Sequence, residues 1–343
     1  MDDRRLTSSI LRPAALDAPL VAAWDALNAA TPGLESPFLS AHFAHAVAAA
    51  GVDVRVCVLY RDGHPCGFLP YQFNGTVAAI ARAAEPVGSI MSDYVGLVAA
   101  ENVRITPAQL LKLAKLNSFA FSHLDAPQLT YGLRAEQPRI GLRLRLAPHD
   151  PLGEQLRERH RYLKDSERCA SKLSKEVGPI EFVFDQHERS AELMDQMIEY
   201  KRSQYARTQS ADALEQPWTR RLLHLLAQSD FPACRGQLST LYAGGTWLAT
   251  HFGLIGNGVL HHWMPVYNPE FSKYAPGRLL MHQMIAACPA AGLHTIDHGE
   301  GDSVNKRHLS NEEHQYFRGA WHNHSPMSYA MRVYQSLKWR LQG

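Results

Sequence analysis

Between residues 237 and 264 the chain runs through three strand-like segments, 237–242, 247–255 and 259–264, separated only by Gly244-Gly245 and Gly256-Asn257-Gly258. Turns this short join neighbouring antiparallel strands, so the stretch is committed to a meander. The flanking periodicity changes from 2 to 3.6: helices are expected over 188–205, 217–228 and 276–290, with further strands at 180–184 and 293–297. That order, strand, helices, meander, helix, strand, belongs to an α/β fold in which helices cover a mostly antiparallel sheet.

The first half alternates in the same way. Residues 14–29 have helical spacing, Ser40 caps a helix ended by Gly51, and 54–60 with 66–73 form a hairpin around the turn at 61–65. Thr106-Pro107 opens another helix, and short strands are expected at 128–133 and 140–146. Two prolines in Pro148-His149-Asp150-Pro151 mark a link, which places one domain at 1–150 and a second at 151–343. The charged helix expected over 152–177 reads as a solvated ion-pair surface, with an anionic-ligand surface as the alternative.

With 343 residues, 45% hydrophobic, the chain is long enough for two ordinary cores. A net charge of +2 provides no general field for gripping nucleic acid, which argues against DNA and against tRNA. No apolar run reaches the length of a membrane span, and the first residues lack a secretory signal, so the expected location is cytoplasmic. Five scattered cysteines without a C-x-x-C pair suggest neither a disulfide framework nor a cysteine metal site.

Histidine is the skewed residue: there are 18, of which ten fall between His251 and His324. His261-His262 and His322-Asn323-His324 invite a zinc reading, but adjacent strand residues face opposite ways, so no metal is expected. His251, within an apolar strand, is either a hydrogen-bonded core residue or a base. Ala275-Pro276-Gly277-Arg278 leads into a helix, where free N–H groups suit an anion, with Lys273 and Arg278 adding charge; a simply capped helix is the alternative. Residues 295–308 end a strand in an acidic, glycine-containing loop in which Lys306 returns a positive charge toward three carboxylates; it holds either a tuned base or a surface ion-pair set.

Taken together in order, Gly236-Gln237-Leu238-Ser239-Thr240-Leu241, the run 245–254, Pro265-Val266-Tyr267-Asn268, Ala275-Pro276-Gly277-Arg278-Leu279-Leu280, and Ile296-Asp297-His298-Gly299-Glu300-Gly301 with Lys306 resemble the GNAT acyltransferase domain of CelD-like proteins, relatives of the FemAB peptidyltransferases. A looser likeness covers 201–205, Trp218, Ser36-Pro37-Phe38, Gly67-Phe68-Leu69-Pro70 and Ser92-Asp93-Tyr94. The resemblance implies tandem GNAT-like α/β halves, with acetyl-CoA or another acyl-CoA held on the second by Ala275, Pro276, Gly277, Arg278 and Leu279. Pro276-Gly277-Arg278-Leu279 departs from the usual glycine-rich pyrophosphate loop, and FemAB-like relatives use aminoacyl-tRNA instead.

The resemblance further implies Asp297 or His251 as base and Lys306 as electrostatic stabiliser, with Tyr267, His298, Glu300, Lys201 and Tyr205 around the acceptor. Direct attack by the acceptor requires no Ser or Cys nucleophile. The expected activity is N-acylation of a small amine, such as an amino sugar of polysaccharide or envelope metabolism, in association with polysaccharide-synthesis machinery. Transfer from charged tRNA, or a non-catalytic module partnering a polysaccharide synthase, are the competing expectations.

Overall fold

The computed structural model describes residues 6–147, 149, 160–186 and 190–323. The chain divides into two compact units, residues 1–139 with 315–343, and residues 140–314. The expected link at 148–151 lies almost wholly outside the described residues. The units divide earlier, because the strand that begins before it pairs inside the second unit, while the last strand returns to the first.

In the first unit the order is β1 (Thr7–Leu11), α1 (Ala18–Ala30), α2 (Ala41–Ala49), β2 (Asp53–Arg61), β3 (His64–Phe73), α3 (Gly75–Ala81), β4 (Ala83–Ala84), β5 (Val98–Ala99), α4 (Pro107–Leu113) and β6 (Ser118–Asp125). Strands β1, β2, β3 and β5 form an antiparallel sheet. Ser40 Oγ accepts the Phe43 N–H at 3.1 Å, and Thr106 with Gln109 closes a capping box around Pro107, as their sequence signals require. The strand expected at 128–133 is instead a 3₁₀ turn, Ala126–Tyr131. Pro127 has no N–H to give a ladder, and the Gln128 side chain takes the ladder's place by bonding Leu97 N–H at 2.8 Å and Leu97 C=O at 3.1 Å.

The second unit continues with β7 (Gln137–Arg145), α5 (His160–Glu176), β8 (Ile180–Val183), α6 (Ser190–Thr208), α7 (Pro217–Ala227), β9 (Asp230–Phe231), β10 (Cys234–Ala243), β11 (Thr246–Gly256), β12 (Val259–Tyr267), α8 (Pro276–Ala287), β13 (Thr295–Glu300) and the short α9 (Val304–His308). β14 (Glu312–His322) follows, and from Tyr316 onward it pairs antiparallel with β6. The sheet order in the second unit is β7-β13-β12-β11-β10-β8, antiparallel throughout except for the β12–β13 pair. The expected meander is therefore present at β10–β12. The expected α/β class, with mostly antiparallel sheets and flanking helices, is met.

Register sorts this sheet into an apolar and a polar row. Leu260, Ile296 and Leu144 lie directly across three strands and are fully buried in the core formed with Leu173 of α5 and Leu280, Met284 and Ile285 of α8. One residue further along, on the other face, His261, Asp297 and Arg143 are likewise aligned. The described part of the charged α5 carries its expected ion pairs, among them Lys172–Glu176 and Arg168–Asp165. No helix among the described residues is long and apolar enough to cross a membrane.

Candidate active site at the β12–β13 divergence

The parallel β12–β13 ladder stops at His261↔Asp297, although β12 continues to Tyr267 and β13 to Glu300. Both strands carry a bulge at that level. On β12, His262 and Trp263 face Gly253 alone, between the pairs Leu254↔His261 and Phe252↔Met264. On β13, His298 and Gly299 face Leu142 alone, between Asp297↔Arg143 and Glu300↔Gly141. Gly299 has φ +67°, a left-handed conformation that favours glycine, and its N–H bonds Asp297 Oδ1 at 2.8 Å. The bulges lie where the two strands part, and His262 and His298 meet there edge to face.

Asp297 anchors this apex of the divergence. Its other oxygen accepts Arg143 Nε–H at 2.9 Å, and His261 Nδ1 stands 3.7 Å from Oδ1. Asp297 was expected as a base, but in the structure both its oxygens are engaged and its side chain is 3% exposed. Such a carboxylate positions β13 against β7. Lys306 Nζ donates to the carbonyls of His298 and Glu300, each at 2.7 Å, clamping the loop after β13. It addresses backbone carbonyls there, while Asp302 pairs with Arg307.

A histidine cluster fills the apex. His251 stacks on His262 with centroids 4.4 Å apart and planes 7° from parallel, and His298 meets His262 edge to face at 5.6 Å. His251 Nε2 accepts the Trp263 N–H at 3.1 Å, so the neutral ring carries its proton on Nδ1, which is buried without a partner. His298 Nε2 lies 3.0 Å from the Leu309 carbonyl, which accepts only, so there the proton sits on Nε2. Burial pushes His251 down to about 3, with His261, His298 and Lys201 adding to the effect. Burial also pushes His298 down to about 4 and holds His262 well below the ordinary histidine range. No group of three His, Cys, Asp or Glu side chains suited to a metal occurs among the described residues.

Lys201 of α6 reaches toward the same strands. Its Nζ donates to the Pro265 carbonyl at 3.3 Å and stands 5.4 Å from the Tyr205 ring centre; burial pushes the amine down to about 8. Nearby, a cleft of about 330 Å³ lies between α6 and the end of β12, lined by Tyr200, Ser203, Gln204, Arg207 and Tyr267. Tyr267 also borders the start of α8, where a Cβ on Gly277 would meet Tyr267 Cδ1 at 3.8 Å and nothing nearer. Gly277 therefore leaves its backbone approachable.

α8 begins after Ala275 in a left-handed conformation (φ 53°, ψ 51°) without a side-chain cap. Arg278 lies 5.0 Å over the Tyr162 ring, with Nη2 3.6 Å from Cys169 Sγ and its Nε buried without a partner. This uncapped helix start leaves N–H groups without a side-chain partner, with the Arg278 guanidinium one turn away at most. Leu279 and Pro276 are packed inward instead, and Lys273 is held by Glu176 at 3.1 Å. Of the expected residues, His251, His298, Asp297, Glu300 and Lys306 meet at the apex, Lys201 and Tyr205 approach from α6, and Tyr267 adjoins Gly277. His262 and Arg143 were missed. Arg143 carried no local signal, and the bulge that reorients His262 was legible only as the Gly253 opposite it.

Residues 160–308 match the model of the acetyltransferase (GNAT) domain family. The C-terminal domain of a putative lysylphosphatidylglycerol synthetase from Agrobacterium fabrum has a similar structure, at 13% identity over 92% of this chain and 96% of that one, with a TM-score of 0.56. FemX is similar at 11% identity over 90% and 97%, with a TM-score of 0.58. At these identities the likeness is one of fold. No curated protein matches the chain.

Two outcomes follow for stability. Arg143→Ala leaves Asp297 buried without its cation and is expected to cost about 3–5 kcal/mol in urea unfolding, with Arg143→Ala/Asp297→Asn recovering part of the loss. His251, His282, His298 and His314 are pushed down to about 3, 4, 4 and 4, yet titrate near 6.5 in the unfolded chain. The unfolded state therefore binds more protons as pH falls below 6.5, and the urea midpoint should drop steadily from there toward pH 4. A midpoint unchanged across that window contradicts the burial of neutral imidazoles.

Proposed function

We propose, from the GNAT acetyltransferase domain that residues 160–308 form, that the chain transfers an acyl group from an acyl-CoA to the amine of a small acceptor. The observation that carries this reading is the β12–β13 divergence, where the ladder stops at His261↔Asp297 while both strands run on. The donor supplies an activated thioester, and its pantetheine arm carries two amides suited to strand edges left unpaired by the divergence. Gly277 N–H and the Arg278 guanidinium provide the positive charge for its diphosphate.

On the acceptor side, Ser203, Gln204, Tyr267 and Arg207 offer hydrogen bonds at the mouth of an open cleft, which suits a hydroxyl-rich amine. An amino sugar of polysaccharide or envelope metabolism is the acceptor class we favour. Lys201 and Lys306 bring positive charge to the apex, which favours the negative charge developing on the carbonyl oxygen and on sulfur. The same field, with the low dielectric that keeps the imidazoles neutral, disfavours an ammonium and so delivers the acceptor amine unprotonated.

Isothermal titration with acetyl-CoA tests the donor. Binding to the wild-type chain is expected, weakened roughly tenfold to a hundredfold by Arg278→Ala, the worth of a charge-assisted contact. A wild-type chain that binds neither acetyl-CoA nor a longer acyl-CoA contradicts the reading.

A further inference from the structure

Both base candidates visible in the sequence are held by hydrogen bonds to their acceptor atoms. Asp297 accepts from Arg143 and Gly299, and His251 Nε2 accepts from Trp263. His298 is fixed by its bond to Leu309 O. His262 differs from all of these: it is partly exposed, and neither ring nitrogen hydrogen-bonds a described residue. Its orientation comes from rings instead, with His251 flat against one face and His298 set edge to face. It stands one residue past the last β12–β13 pair, where the strands part.

We propose that His262 is the catalytic base of the acyl transfer and that His251 is its positioning residue. The assignment rests on the acyl-CoA reading above. As the acceptor nitrogen attacks the thioester carbonyl, an N–C bond forms, the C–S bond breaks and its electron pair leaves with sulfur. The proton lost by nitrogen passes to the free lone pair of His262, and from there to the departing thiolate or to water. His251 does its work through geometry. Its bond to the Trp263 N–H locks the ring in place, and the parallel stack then leaves His262 a single plane in which to present its nitrogens.

The surroundings of His262 keep its ring neutral. Burial is the main cause, and His251 of β11, His298 of β13, Lys306 of α9 and His261 on its own strand act in the same direction. The lone pair is therefore available at neutral pH, and an imidazolium formed in transfer is quick to release its proton.

Diethyl pyrocarbonate, which acylates accessible unprotonated imidazoles, tests the assignment without a known acceptor. At pH 6, peptide mapping should find His262 modified, His251 and His298 spared, and His262 protected by acetyl-CoA. With glucosamine as probe acceptor, His262→Ala and His262→Gln should lose roughly a hundredfold or more in kcat while binding acetyl-CoA within about threefold of wild type. Added imidazole should restore part of the His262→Ala rate. His251→Phe, which keeps a ring in the stack and removes the bond to Trp263, should lower kcat about tenfold with KM for acetyl-CoA unchanged. Labelling of His262 that acetyl-CoA leaves untouched, or wild-type turnover in His262→Ala, overturns the proposal. A wild-type chain that fails to bind acetyl-CoA fails at the earlier reading, and where glucosamine is not turned over the labelling pattern decides alone.

Discussion

The second unit depends on a parallel strand pair that is stopped after three residue pairs, Val259↔Thr295 to His261↔Asp297. Continued pairing would satisfy the backbone groups of both strands and keep them together. Two bulges at the same level prevent it, one on each strand, and the Arg143–Asp297–Gly299 contacts hold the outer bulge in place. The buried ion pair is thus explained by what it positions. An isolated pair of this kind contributes little net stability, yet breaking it strands a charge in the sheet. Beneath it, the Leu144–Ile296–Leu260 row and α8 provide the rigid core on which the divergence is built.

Charge at the apex is arranged asymmetrically. The carboxylate there is neutralised by Arg143, the histidines are uncharged, and Lys201 and Lys306 are the cations that remain. A site of this character stabilises anions forming during acyl transfer and resists cations entering it. The skew in histidine content that suggested metal in the sequence reflects this packing. Imidazoles stack and hydrogen-bond here, and their neutrality follows from burial.

Much of the architecture was legible because its signals are local. Gly244-Gly245 and Gly256-Asn257-Gly258 dictate the meander, Ser40 and Thr106-Pro107 mark helix starts, and the ordered blocks from Gly236 to Lys306 carried the family resemblance. Elements held by distant partners were not. β6 and β14 lack regular alternation and exist because they pair with each other across nearly 200 residues, as in Phe119↔Trp321. The 3₁₀ turn at Ala126–Tyr131 depends on Gln128 reaching Leu97. At the site, the participation of Asp297 and Lys306 was foreseen but their contacts were not, since the Asp297–Arg143 pair requires β13 to lie beside β7. His262 was missed as a site residue, since its orientation depends on the bulge opposite Gly253.

The position of a bound donor decides most directly between an acyl-CoA site at the divergence and none. A crystal structure with acetyl-CoA should show the pantetheine arm extended between β12 and β13, the diphosphate at Gly277 and Arg278, and the thioester beside His262. Acetyl-CoA bound outside the β12–β13 divergence, or β12 and β13 found paired beyond His261 and Asp297 in the crystal, would contradict it.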